Sequence, residues 1–159
     1  MAFANAFLGM SHSMAHKIGG VHHTVHGRTN AILLPYVIRY NGTRPSKTTT
    51  WPKYNYWKAD EKFQDIAKML GLPHSTPEEA VEAYAKAVYD LGVAVGIKMN
   101  FKDQGIDEKA WKDSLHEIAL LAYEDQCSPA NPRLPMVADM EEIMADAYYG
   151  YAERPGRRK

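Results

Sequence analysis

Between residues 2 and 18 apolar side chains recur at helical spacing. At about 100° per residue, Phe3, Phe7, Met10 and Met14 share one stripe, and Asn5, Gly9, His12 and His16 share the opposite one. Small residues (Ala2, Ala4, Ala6, Ser11, Ser13, Ala15) fill the sides, and no charged residue precedes Lys17. The pattern predicts a helix buried on all sides, ended by Gly19-Gly20. Residues 28–41, "RTNAILLPYVIRYN", predict a second buried helix, with Asn30 as its N-cap and Pro35 near its first turn.

The periodicity then stops. Residues 42–57 hold two prolines and four aromatics with neither helical nor alternating spacing, which predicts an ordered aromatic loop rather than a solvated linker. Amphipathic helices follow. Residues 58–70 place Phe63, Ile66, Ala67 and Leu70 on one face, with Gly71 closing the helix. The next helix has a Thr76 cap, Pro77 at its first position and the stripe Val81, Tyr84, Val88, Leu91 and Val95. Residues 107–124 show Trp111, Leu115, Ile118 and Ala122; residues 136–149 show Met140, Ile143, Met144 and Ala147. No run alternates as a strand would. Residues 152–159 read as a solvated basic tail. The expected fold is all-α, about six helices in one helical, partial domain over 1–159.

Composition narrows the function classes. The 19 basic and 19 acidic residues cancel, which argues against nucleic acid and anionic membranes as partners. The apolar amino terminus lacks the basic leader of a signal peptide and is too short and polar to span a bilayer. One cysteine, Cys127, cannot form an internal disulfide, which suits a reducing cytoplasm. A buried helix at the first residue also predicts that the chain starts inside a larger domain.

Five of the seven histidines fall in "HSMAHKIGGVHHTVHG", residues 12–27. His12 and His16 stand four apart, so both rings can approach one ion from a helix face. A reversal at the glycines would return His26 to the same place. Imidazole suits Fe(II), Zn(II) and Ni(II) alike, and an isolated HxxxH pair is more often structural than metal-binding. His22 and His23 read as turn residues. In "EDQCSPANPR", Cys127 reads as a cleft-lining residue or a thiol nucleophile, the first being favoured without a histidine partner. Arg133 reads as a loop anchor or an anion contact. No phosphate-binding glycine loop and no GxSxG is present.

"FANAFLGMSHSMAHKIGG", the following His-Gly pair and "NAILLPYVIRYN" resemble the histidine-rich signature of the iron-dependent (group III) alcohol dehydrogenases. "DQCSPANPRLP" and "MEEIMADAYYG" resemble that family's carboxy-terminal end. The aromatic loop and "FKDQGIDEKAW" are similar to the alcohol dehydrogenase half of the bifunctional aldehyde–alcohol dehydrogenases of fermenting bacteria. The resemblance implies that His12 and His26 are metal ligands for Fe(II), with zinc or another divalent ion as a substitute. It implies His16 as the catalytic proton-relay residue and Cys127 as a substrate-pocket residue near the cleft. It also implies an aspartate and a further histidine ligand upstream, and an NAD-binding α/β domain absent from this chain. The parent would interconvert a short aldehyde such as acetaldehyde and its alcohol, and would assemble as a homo-oligomer or filament. The fragment alone is expected to be inactive; the rival expectation is a non-catalytic helical association module. Val25 stands where the family usually has proline, and His22 where it is more often aromatic or apolar.

Overall fold

The computed structural model describes residues 5, 7–45 and 57–150. Among them are six α-helices: α1 (Met10–His22), α2 (His26–Gly42), α3 (Ala59–Met69), α4 (Pro77–Ala94), α5 (Glu108–Tyr123) and α6 (Val137–Tyr149). A single 3-10 turn, Ser128–Ala130, lies between α5 and α6, and no strand occurs among the described residues. The all-α expectation holds. Residues 2–4 and 6 of the first expected helix, residues 46–56 of the aromatic loop and the tail 152–159 lie outside the described residues.

α2 is the spine. It packs on α1, α4 and α6, while α5 bridges α1 and α6 and α3 covers α4. The main core gathers Met10, Met14 and Ile18 of α1 with Ile32, Leu33 and Tyr36 of α2. Trp111 and Ile118 of α5 and Met140 and Met144 of α6 complete it. Trp111 stacks between Phe101, at 4.9 Å, and Tyr148, at 5.3 Å. A smaller core of Ile38, Val81 and Ala85 joins α2 to α4, with Phe63 and Tyr84 against it.

The helices past residue 57 end where local chemistry says they should. The Thr76 hydroxyl accepts the Glu79 amide at 3.2 Å, and the Asp107 carboxylate accepts the Ala110 amide at 2.9 Å. Gly71 (φ 68°) lets α3 finish with paired bonds, Leu72 N–H to Ala67 O and Gly71 N–H to Lys68 O.

The first two helices differ from the expected ones. α1 starts at Met10, with Phe7 left-handed (φ 60°) and exposed before it. It runs straight through Gly19-Gly20 and ends at His23, which takes the left-handed conformation (φ 54°) expected of a glycine. α1 is also buried on one face only: Met10, Met14 and Ile18 are inside, while His16, Gly20 and Val21 face solvent. α2 begins four residues before the expected Asn30 cap, with Val25 as N-cap, so Pro35 falls in mid-helix. A mid-helix proline removes one backbone bond and costs about 3 kcal/mol. Burial of its ring among the core residues offsets part of that cost. Of the expected α4 stripe, Val81 is buried and Tyr84 and Val88 are partly so, but Leu91 and Val95 are 63% and 65% exposed. There α4 has run past α3, and it turns Gly92 rather than Leu91 onto Met99.

Candidate metal centre

The backing of the site explains its shape. Met10, Ser13, Met14 and Ile18 anchor α1 in the core, which forces His12 and His16 outward on the other side. The left-handed turn at His23 reverses the chain within three residues, and α2 opens on His26 beside them. The ring centroids of His12 and His26 are 5.3 Å apart, those of His16 and His26 5.3 Å, and those of His12 and His16 6.2 Å. The sequence expectation that these three meet is therefore realised in space. His22 and His23 go elsewhere: His22 stacks on Trp111 at 5.3 Å, with Nε2 3.0 Å from Ser114 Oγ.

Neighbours order two of the rings. Asn30 accepts from Ser11 Oγ at 3.0 Å, and its amide nitrogen lies 3.2 Å from both His26 Nε2 and the His26 carbonyl. His16 Nδ1 lies 3.4 Å from Asp125 Oδ2. That carboxylate also accepts the Cys127 amide at 3.0 Å and pairs with Lys17 Nζ at 2.9 Å. Sequence reasoning missed Asp125, which is 109 positions from His16; the only signal was its place in the EDQCSPANPR loop.

That loop is clamped to both site helices. Asn131 Oδ1 caps the Met10 amide at 3.2 Å, and Asn131 Nδ2 donates to Asn41 Oδ1 at 2.7 Å. Gly9 is required there, since a Cβ would stand 2.8 Å from Asn131 Oδ1. Ser128 Oγ lies 2.6 Å from the Ala122 carbonyl and 3.0 Å from Ser13 Oγ. Arg133 serves as a loop anchor: it donates to the Tyr40 and Thr43 carbonyls and covers the Tyr40 ring at 4.0 Å. Cys127 is buried, with its donor atom within 4.8 Å of those of His16 and Asp125.

The electrostatics favour neutral imidazole at His12. Burial, followed by the neighbouring His26 and His16, pushes its pKa below the usual histidine value. Burial opposes ionisation of Asp125, but the Cys127 amide, Lys17 and His16 outweigh it and hold the carboxyl well below its ordinary range. Burial and the adjacent Asp125 push the Cys127 thiol up, so it is a poor nucleophile at neutral pH. Imidazoles converging from two helices fit an iron or similar borderline divalent ion, which takes nitrogen donors readily. His12 and His26 would hold it. A closed centre takes three or four protein ligands, so these two would supply only part of one.

A family model described as "Fe-containing alcohol dehydrogenase family, C-terminal" matches residues 1–148. An aldehyde-alcohol dehydrogenase of Streptococcus pneumoniae serotype 2 (strain D39 / NCTC 7466) is 79% identical over all 159 residues, which cover 18% of that protein. Aldehyde-alcohol dehydrogenase 2 of Entamoeba histolytica is 58% identical over 152 residues, covering 96% of this chain and 18% of that protein. Among solved structures, a 1,3-propanediol oxidoreductase superposes with a TM-score of 0.74 at 32% identity, covering 92% of this chain and 34% of that one. An alcohol dehydrogenase from Oenococcus oeni gives 0.74 at 31% identity, with the same two shares. The chain thus spans about a fifth of these curated relatives and a third of the solved chains.

Proposed function

We propose, from the premise that this chain belongs to the iron-containing alcohol dehydrogenase family, that it forms the C-terminal part of the helical metal domain of a longer aldehyde–alcohol dehydrogenase. The parent interconverts a short aldehyde such as acetaldehyde and its alcohol, with NAD carried by a domain outside residues 1–159. The observation that carries this reading is the convergence of His12, His16 and His26 on the outer face of the α1–α2 elbow.

Within that reading each residue has a task. His12 and His26 present imidazole nitrogens to the metal from two helices whose other faces are locked in the core. When bound, the divalent iron supplies Lewis acidity toward the alcohol or aldehyde oxygen. His16 holds the proton that the oxygen gains or gives up. Cys127, buried beside His16 and Asp125, lines the site without reacting. Among the described residues no helix is long and apolar enough to cross a membrane. The cytoplasm remains the proposed location.

With part of the coordination shell and the dinucleotide domain outside the chain, residues 1–159 alone lack dehydrogenase activity. An NAD-linked ethanol oxidation assay of the purified chain, supplied with Fe(II), tests this. Background rates are expected; robust turnover overturns the reading.

One observation favours a second role, association. Leu91, Val93 and Val95 at the end of α4 are 63%, 53% and 65% exposed. A helical module that docks on the remainder of its enzyme, or on copies of itself, would cover them. Static light scattering decides: concentration-dependent mass is expected, and a clean monomer at high concentration counts against association.

A further inference from the structure

We infer that Asp125 is a positioning residue that fixes the tautomer and ring orientation of His16; the inference rests on the reading of His16 as the proton-handling group. The His16 ring faces solvent with 36% of its side chain exposed, whereas the Asp125 side chain is 8% exposed. An exposed imidazole on a helix has rotamer freedom and two neutral tautomers. A fixed, buried anion beside one nitrogen removes both freedoms.

Asp125 is built as such an anchor. Its Oδ1 accepts the Cys127 amide at 3.0 Å, so the carboxylate does not swing. Lys17 Nζ holds Oδ2 at 2.9 Å from the residue next to His16, tying the loop to the same turn of α1. Oδ2 then stands 3.4 Å from His16 Nδ1, at the long end of hydrogen-bond range. With Nδ1–H pointed at Asp125, His16 Nε2 carries the lone pair on the far side of the ring. The His26 ring, stacked at 5.3 Å and 16°, closes one face of His16 and limits rotation. Lys17 and the Cys127 amide would satisfy Asp125 without His16, so a purely structural carboxylate predicts no control over the imidazole.

Long-range proton–nitrogen NMR of the ¹⁵N-histidine-labelled, metal-free chain at pH 8 separates the two. His16 is expected as the Nδ1–H tautomer. Asp125→Asn is combined with Lys17→Met, which removes the ammonium that the new NH₂ would otherwise face. The amide oxygen then still caps Cys127 while the NH₂ faces His16, and the ring is expected to reverse to Nε2–H with the far-UV circular dichroism unchanged. Lys17→Met alone keeps Nδ1–H. An Nε2–H ring in the unmutated chain overturns the inference even if the double variant fails to fold, as does an unchanged tautomer in a folded double variant. In the longer enzyme, Asp125→Asn should lower kcat on the order of tenfold or more with KM little changed. If His16→Gln there leaves kcat intact, the proton-handling reading falls while the tautomer result stands.

Discussion

The α1–α2 elbow and the α3–α4 hairpin are both amphipathic helix pairs, yet they use their faces in opposite ways. In the elbow, apolar and small residues are packed almost without exposure behind, and the outward face carries three histidines. In the hairpin, caps and glycine closures set the helix ends, the shared core is small, and Met69, Leu91 and Val95 remain outside. The elbow's outward face is polar and rigidly backed, as a binding centre needs to be. The hairpin's outward face is charged along most of its length, with Lys62, Asp65, Glu78 and Lys86 exposed, but the end of α4 leaves Leu91, Val93 and Val95 outside, as a docking surface would.

The sharpest way to break the contrast is to remove the elbow's backing. Met14 is fully buried beneath the histidines. Met14→Ala should lose about 2–5 kcal/mol of unfolding free energy in urea titrations. The histidine rings should lose their ordering with it. An unchanged midpoint would mean that α1 is not held by its core face.

Gly42, where α2 meets α4, links the two regions. A Cβ there would stand 2.5 Å from Val81 Cγ2, and a short branched side chain has little room to yield. Gly42→Ala should cost about 1–3 kcal/mol by overpacking, measurable in the same titration. Gly42→Ala together with Val81→Ala should recover part of the loss.

These contacts also explain what the sequence did and did not disclose. The hairpin's boundaries were legible because Thr76, Pro77 and Gly71 act on backbone groups only a few residues away. The elbow was legible as chemistry, since His12 and His16 stand four apart and His26 follows a chain reversal, but not as geometry. Gly19-Gly20 looked like its stop; the tertiary packing of Ile18 carries α1 through them, and His23 makes the turn. Asn30 looked like a cap, but its side chain is needed mid-helix to hold His26. Asp125 and Asn131 were illegible as site residues because their partners lie 109 and 121 positions away, and no local pattern encodes such pairs.

A smaller effect should appear with pH. His12 has its folded pKa pushed below the unfolded value of about 6.5. The unfolded chain therefore binds the proton more readily, so stability is present in full above pH 6.5 and declines as pH falls below it. The urea midpoint of the metal-free chain should be lower at pH 5.5 than at pH 7.5, and His12→Gln should flatten that difference. A larger drop in the variant would contradict the assignment to His12.

The smallest effect belongs to the hairpin's outer face. Leu91→Ser should change stability by no more than about 0.5 kcal/mol, since its side chain is mostly in solvent already. It should nevertheless reduce any self-association seen by light scattering.

We propose that His12 and His26 are the metal-holding residues this chain contributes. Anaerobic titration of the chain with Fe(II) or Co(II), read by calorimetry at pH 7.5, tests it most directly. Weak one-to-one binding is expected, which His12→Ala or His26→Ala each reduces about 10- to 100-fold and His23→Ala leaves unchanged. Binding that survives both the His12 and the His26 substitutions, or that disappears with His23, would contradict it.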